Sequence, residues 1–140
     1  MHFDAFEQGA ALEEFTRGPF TTAHIFRWSA AIENLHRIHY DWRYATGHDG
    51  LDDVVINGSL KQHLLIDAIT RWAGSDGFLS KLEVSFRSPN YCGETLTVFG
   101  CIKAKRDHGS CREIELDVGI RNEKGATGTA GTATLVFRRT

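Results

Sequence analysis

The segment 57–73, NGSLKQHLLIDAITRWA, sets the tightest limit on how this chain can fold. Leu60, Leu64, Leu65, Ala68, Ile69 and Trp72 recur at helical spacing and make one apolar stripe. Ile66 and Ala73 widen that stripe beyond what a helix lying on a surface presents. The spacing predicts a helix over 57–73 covered on more than one side. Asn57 or Ser59 is placed to cap its start and Gly74 to stop it.

Everything after Gly77 reads as strand. In LSKLEVSFR, Leu82, Val84 and Phe86 alternate with Lys81, Glu83, Ser85 and Arg87. In REIELDVGI, Ile114, Leu116, Val118 and Ile120 alternate with Glu113, Glu115, Asp117 and Gly119. A period of two gives a sheet with one face buried and one wet. TLTVFGCI and TGTAGTATLVF complete four strands, and the turn-like RDHGS and NEKG make antiparallel neighbours of them. The last strand carries small side chains (Gly128, Ala130, Gly131, Ala133), which permit close approach by the helix or a ligand. Upstream, residues 1–18 read as a loosely structured lead-in ending at RGPF. Residues 20–28, FTTAHIFRW, read as a short strand running into a helix at SAAIEN.

One long, widely apolar helix followed by an antiparallel sheet buries both only if the sheet curls around the helix. The expected architecture is therefore α+β, a single hot-dog domain over residues 1–140. Such a sheet leaves edges open and the helix incompletely covered. Pairing with a second copy or a related subunit answers both, so a dimer is expected.

Composition narrows the partners. A formal net charge of −2 leaves no basic field for nucleic acid. The nearest basic cluster, Lys103, Lys105 and Arg106, suits one phosphorylated small molecule better than a polyanion. No apolar run approaches the ~20 residues that span a bilayer, and MHFDAFEQGAALEEF lacks the layout of a signal peptide. Cys92, Cys101 and Cys111 match no zinc motif and are expected as buried free thiols, consistent with a cytoplasmic location. No spacing of His, Asp and Cys suggests a metal.

The chemistry concentrates in ENLHRIHYDWRYA, residues 33–45. A helix is expected to end at Asn34 and another to begin at Asp41, whose side chain suits an N-cap. His39 then lies on the loop between them, where a side chain can project into a pocket. Glu33, adjacent to Asn34, points about 100° away on a helix and reads as a solvated carboxylate. His48 and His63 carry no special signal. The second feature is VVINGSL, residues 54–60, where Gly58 opens the long helix. Gly58 either eases a tight turn or leaves a backbone N–H, aligned with the helix dipole, to hold a developing oxyanion.

Taken in order, RGPFTTAHIFRWSAA, NLHRIHYDWRYA, VVINGSL and FRSPNYCGETLTVFG resemble the successive motifs of the MaoC-like acyl dehydratases, the hot-dog family that includes the (R)-specific enoyl-CoA hydratases. The HRIHYD version is similar to the branch containing mesaconyl-CoA hydratases. The resemblance implies reversible hydration of an acyl-CoA or acyl carrier protein thioester, with neither metal nor cofactor. The family motif Asp-x-Asn-Pro-x-His places its His on His39 and its Asp on Asn34, with His36 and Arg37 on the intervening Asn and Pro. It implies His39, Asn34 and Gly58 as the catalytic set, with His36 and Arg37 beside them; Arg37, whose fork suits a CoA phosphate, and Asn57 and Arg87 are further candidates around the substrate. Asn34 is the departure, because a carboxamide orients water but accepts no proton. Three outcomes stay open. His39 works as sole acid/base with Asn34 orienting water; Glu33 or His36 supplies the second group; or the chain is a non-catalytic subunit that binds acyl-CoA beside a catalytic partner. A hot-dog thioesterase is a further, hydrolytic alternative.

Overall fold

The apolar stripe of the long helix becomes the centre of the molecule. The structure, a computed structural model, describes residues 3–138. Helix α3 spans Gly58–Ala73, with Leu65, Ile69 and Ala73 fully buried and Leu60, Leu64 and Ala68 nearly so. Each buried leucine or isoleucine contributes about 1.5–3 kcal/mol by its removal from water. The helix stops at Gly74, whose φ of 68° is accessible to glycine at little cost. Asn57 occupies the N-cap position but makes no side-chain capping bond.

Around α3 curls one five-stranded antiparallel sheet, in the order β1-β3-β4-β5-β2. Strand β1 is Phe15–Arg17, β2 Gly77–Phe86, β3 Leu96–Asp107, β4 Cys111–Asn122 and β5 Thr127–Arg138. The last four are the strands expected from the alternation. Ile114, Leu116, Val118 and Ile120 of β4 point inward onto α3, while Glu113, Glu115 and Asp117 face outward. The short sides of β5 admit close contact. A Cβ on Gly131 would stand 2.1 Å from the Glu83 carbonyl oxygen of β2, so only glycine fits there.

Two expectations upstream of the long helix are corrected. Residues 20–28 form no strand; Thr22–Ala31 is helix α1, capped by Thr21 in a reciprocal box with His24. Ile25 and Ser29, one turn apart, are its buried face. From Phe3 onward the lead-in is not loose either; Met1 and His2 lie outside the described residues. Phe3, Phe6 and Leu12 enter the core, Phe6 packing 4.5 Å from the Trp72 ring. Phe15–Arg17 pairs with β3, Phe15 opposite Val98. The three cysteines are free but only half-buried.

The connection from α1 to α3 bears the chemistry. Helix α1 ends at Ala31, earlier than expected, and Glu33 takes a left-handed turn at φ 56°. A single 3-10 turn follows over Arg37–His39, and then helix α2, Trp42–Gly47, with Asp41 as the expected N-cap accepting from the Tyr44 N–H. Among the described residues, no helix is long and apolar enough to cross a membrane.

Candidate functional site

A small set of main-chain bonds brings distant segments together at the head of α3. Val55 N–H donates to the Ile38 carbonyl at 2.9 Å, Ile56 N–H to Asn90 at 2.8 Å and Cys92 N–H to Val54 at 2.8 Å. The strand-like 54–57 segment is thereby clamped between the 3-10 turn and the loop after β2. His39, Gly58, Lys61, Phe86 and Arg87 line one open cleft of about 310 Å³ on these clamps. That volume lies at the lower end for small-molecule sites.

His39 is 7% exposed, and its Nδ1 lies 2.8 Å from the Val55 carbonyl oxygen. A carbonyl only accepts, so Nδ1 carries the hydrogen, and in the neutral ring Nε2 is left with its lone pair. Burial pushes the imidazole below its ordinary pKa; the bond to Val55 opposes that, and neighbouring His36 adds to it. Burial thus favours the neutral ring, and the bond to Val55 favours the tautomer with its hydrogen on Nδ1.

Gly58 is the first residue of α3, so its N–H has no partner within the helix. The Phe86 ring lies against it, and a Cβ at position 58 would meet that ring at 3.3 Å. Asn57, fully buried, is an internal strut: its Nδ2 donates to Ser29 Oγ at 2.9 Å, and Ser29 Oγ donates to the Ile25 carbonyl at 2.8 Å. This fixes the start of α3 against α1, as does the 2.9 Å bond from Trp28 Nε1 to Ser59 Oγ.

Of the other candidates, Asn34, His36 and Arg37 do not line the cleft. Asn34 is half-buried, and its Oδ1 accepts from the His36 N–H at 3.3 Å, an internal turn bond. His36 is exposed, with Nδ1 accepting from the Ile38 N–H and its ring centre 6.1 Å from that of His39. Arg37 pairs with Asp41 at 2.7 Å and lies over the Tyr44 ring, turned to solvent. Arg87 does line the cleft. The basic cluster is engaged elsewhere: Lys105 donates to the Phe3 and Phe6 carbonyls, while Lys103 and Arg106 pair with Glu115. No group of three or more His, Cys, Asp or Glu side chains among the described residues could hold a metal ion.

One cleft residue escaped the sequence reading. Lys61 is 2% exposed, its Nζ donating to Asn90 Oδ1 at 3.1 Å and to the Ser88 carbonyl at 3.4 Å. The signal was present in the periodicity. Lys61 stands four residues before Leu65 and three before Leu64, on the buried stripe.

Comparison with known proteins agrees with the fold. Residues 6–94 match the Htd2 family profile, hydroxyacyl-thioester dehydratase type 2. Among solved structures, the ChsH1–ChsH2 complex from Mycobacterium tuberculosis contains a chain 24% identical, with 94% of this chain and 98% of that one covered at TM-score 0.81. An (R)-hydratase from A. caviae involved in PHA biosynthesis is 20% identical over 94% and 96% of the two chains, at TM-score 0.82. A MaoC-like dehydratase from Rhodospirillum rubrum is 16% identical over 100% and 99%, at TM-score 0.87. No curated protein sequence matches.

Proposed function

The chain belongs to the hydroxyacyl-thioester dehydratase type 2 family, and we propose that it reversibly hydrates a 2-enoyl thioester to the 3-hydroxyacyl thioester. The observation that carries this reading is the pairing, in one cleft, of a tautomer-fixed neutral histidine with the free N–H that opens α3. The Gly58 N–H polarises the thioester carbonyl. His39 Nε2 takes a proton from water as the water oxygen bonds to C3, and returns it to C2 of the resulting enolate on the same face. The net change is addition of one water.

Asn34 is a positioning residue in this scheme: its carboxamide holds the turn that carries His36 and, beyond it, His39. The HRIHYD sequence supports a place near the mesaconyl-CoA hydratase branch. Arg87 at the rim suits a phosphate of the CoA or acyl carrier arm. A cytoplasmic location fits the free thiols. The working unit is a dimer. Strand β2 is an edge, with Phe78 70% exposed along it, and Ile66 of α3 is 39% exposed.

A second reading has its own support. Asn34 supplies no carboxylate and is spent on an internal turn bond, which favours a subunit that binds acyl thioester beside a catalytic partner. One experiment separates the readings: incubation with a panel of enoyl-CoA and saturated acyl-CoA thioesters, with products read by mass. A gain of one water supports hydration, released free thiol indicates hydrolysis, and binding without conversion favours the partner subunit.

A further inference from the structure

Resting on the thioester reading above, we propose that Lys61 is a third working element of the site. Its buried ammonium stabilises the negative charge that the thioester oxygen acquires at the head of α3.

Gly58 and Lys61 are three residues apart on α3, so they share one face of its first turn, and both line the cleft with His39. The Phe86 ring lies against both, its centre 5.2 Å from the Lys61 Nζ. Two of the three ammonium hydrogens go to neutral acceptors, Asn90 Oδ1 and the Ser88 carbonyl. Glu94 acts on the lysine from behind Asn90, whose Nδ2 it accepts at 3.5 Å. The third hydrogen is unassigned, and the charge is answered by no direct carboxylate bond among the described residues.

As a structural element this lysine is badly placed. Burial disfavours its charged form and draws its pKa down, with Glu94 only partly opposing. A cation in the first turn also faces the positive end of the helix dipole. A methionine would fill the same space without either penalty. An oxyanion reverses both signs: dipole, Gly58 N–H and ammonium then act together on one negative oxygen. That oxygen exists only while the enolate does. As water oxygen bonds to C3, the C2–C3 π pair moves to C1–C2 and the carbonyl π pair moves onto oxygen. It returns when C2 takes the proton from His39. Lys61 gives up no proton in the cycle. The Asn90–Glu94–Asn122 bonds keep the ammonium in place throughout.

The test compares the wild type with Lys61→Met by two readouts. Hydration kinetics give kcat and KM, and the ultraviolet enolate absorbance of bound acetoacetyl-CoA needs no turnover. Loss of one charge-stabilising contact predicts a kcat fall of about 10²-fold with KM nearly unchanged. The bound enolate fraction falls as well, and thermal unfolding verifies that the variant is folded, with Asn90 Oδ1 and the Ser88 carbonyl left without their donor. A folded Lys61→Met with wild-type kcat and enolate absorbance overturns the inference and leaves the hydratase reading intact. A wild type that hydrates nothing, yet binds a Lys61-dependent enolate, overturns the hydratase reading and leaves the inference standing. Absence of both overturns both. Should Lys61→Met fail to fold, Lys61→Gln keeps a donor for Asn90, drops the charge and decides by the same two measurements.

Discussion

Replacing His39 by asparagine separates its chemistry from its place in the fold. In the proposed mechanism the imidazole has two jobs at opposite nitrogens: Nδ1–H is bonded to the Val55 carbonyl at 2.8 Å, and Nε2 is the base. An asparagine amide can supply the N–H near the Nδ1 position but no base at Nε2. His39→Asn should therefore keep the clamp between the 3-10 turn and the 54–57 segment while removing the proton acceptor. A positioned acid/base contributes about 10²–10⁴-fold, so kcat should fall by that factor, or about 3–5 kcal/mol of barrier. His39→Ala should lose the same rate and also strand the buried Val55 carbonyl, costing about 1–3 kcal/mol of stability. Steady-state hydration of the best thioester gives the rates, and thermal unfolding gives the stabilities. The pH profile adds a sign. Because burial lowers the His39 pKa, the neutral base persists below the ordinary histidine value of 6.5, so the acid limb of kcat should lie under it. Stability follows the same direction: the histidine's contribution is present above the unfolded pKa and is lost as pH falls through the folded one. Both dependences should vanish in His39→Asn. A variant that retains wild-type kcat, or an acid limb above 6.5, would refute the assignment of His39 as base.

Asn34→Ala should lower kcat through loss of the turn bond to the His36 N–H, whereas Asn34→Asp should retain or raise it; an inert wild type that becomes active as Asn34→Asp would instead identify a degenerate subunit. Leu65→Ala, at a position fully buried between α3 and the sheet, should cost about 2–5 kcal/mol in denaturant unfolding, and a smaller loss would mean that the helix is less enclosed than described. Light scattering at micromolar concentration should give the mass of a dimer, and a monomer that turns over substrate would remove the requirement for a second subunit.

Local periodicity made the long helix and four strands legible, because a wide stripe and a two-residue alternation each tolerate one burial pattern. Leu60 to Ile69 fits only a covered helix, and Ile114 to Ile120 only a one-sided strand. Strand β1 has three residues, too few to show alternation, and exists because β3 offers it a partner. At residues 20–28 the β-branched and aromatic composition pointed to a strand, but burial of Ile25 and Ser29 one turn apart decided for helix. The Thr21–His24 box marked its start, with a histidine where a glutamate is the usual partner. Phe3, Phe6 and Leu12 share no period at all. They are buried one at a time against Phe137, Trp72 and the sheet.

The site divides along a different line. His39 and Gly58 were legible because each side chain, or its absence, has a chemical meaning that survives without coordinates. Their meeting was not, since residues 19 positions apart are joined by main-chain bonds from Val55 to Ile38 and from Ile56 to Asn90. Main-chain bonds leave no residue signature: any sequence that keeps the backbone path keeps the clamp. Asn57 illustrates the converse. Its type suggested a cap or a substrate contact, yet its amide turns inward to Ser29 and fixes the helix start from beneath. Lys61 combines both cases, since its position on the apolar stripe foretold burial, but only the location of Asn90 and Ser88 explains how a charge is tolerated there. A lysine kept at such a position, in the first turn beside the one glycine that opens the cleft, is most simply accounted for by an anion that arrives with the substrate.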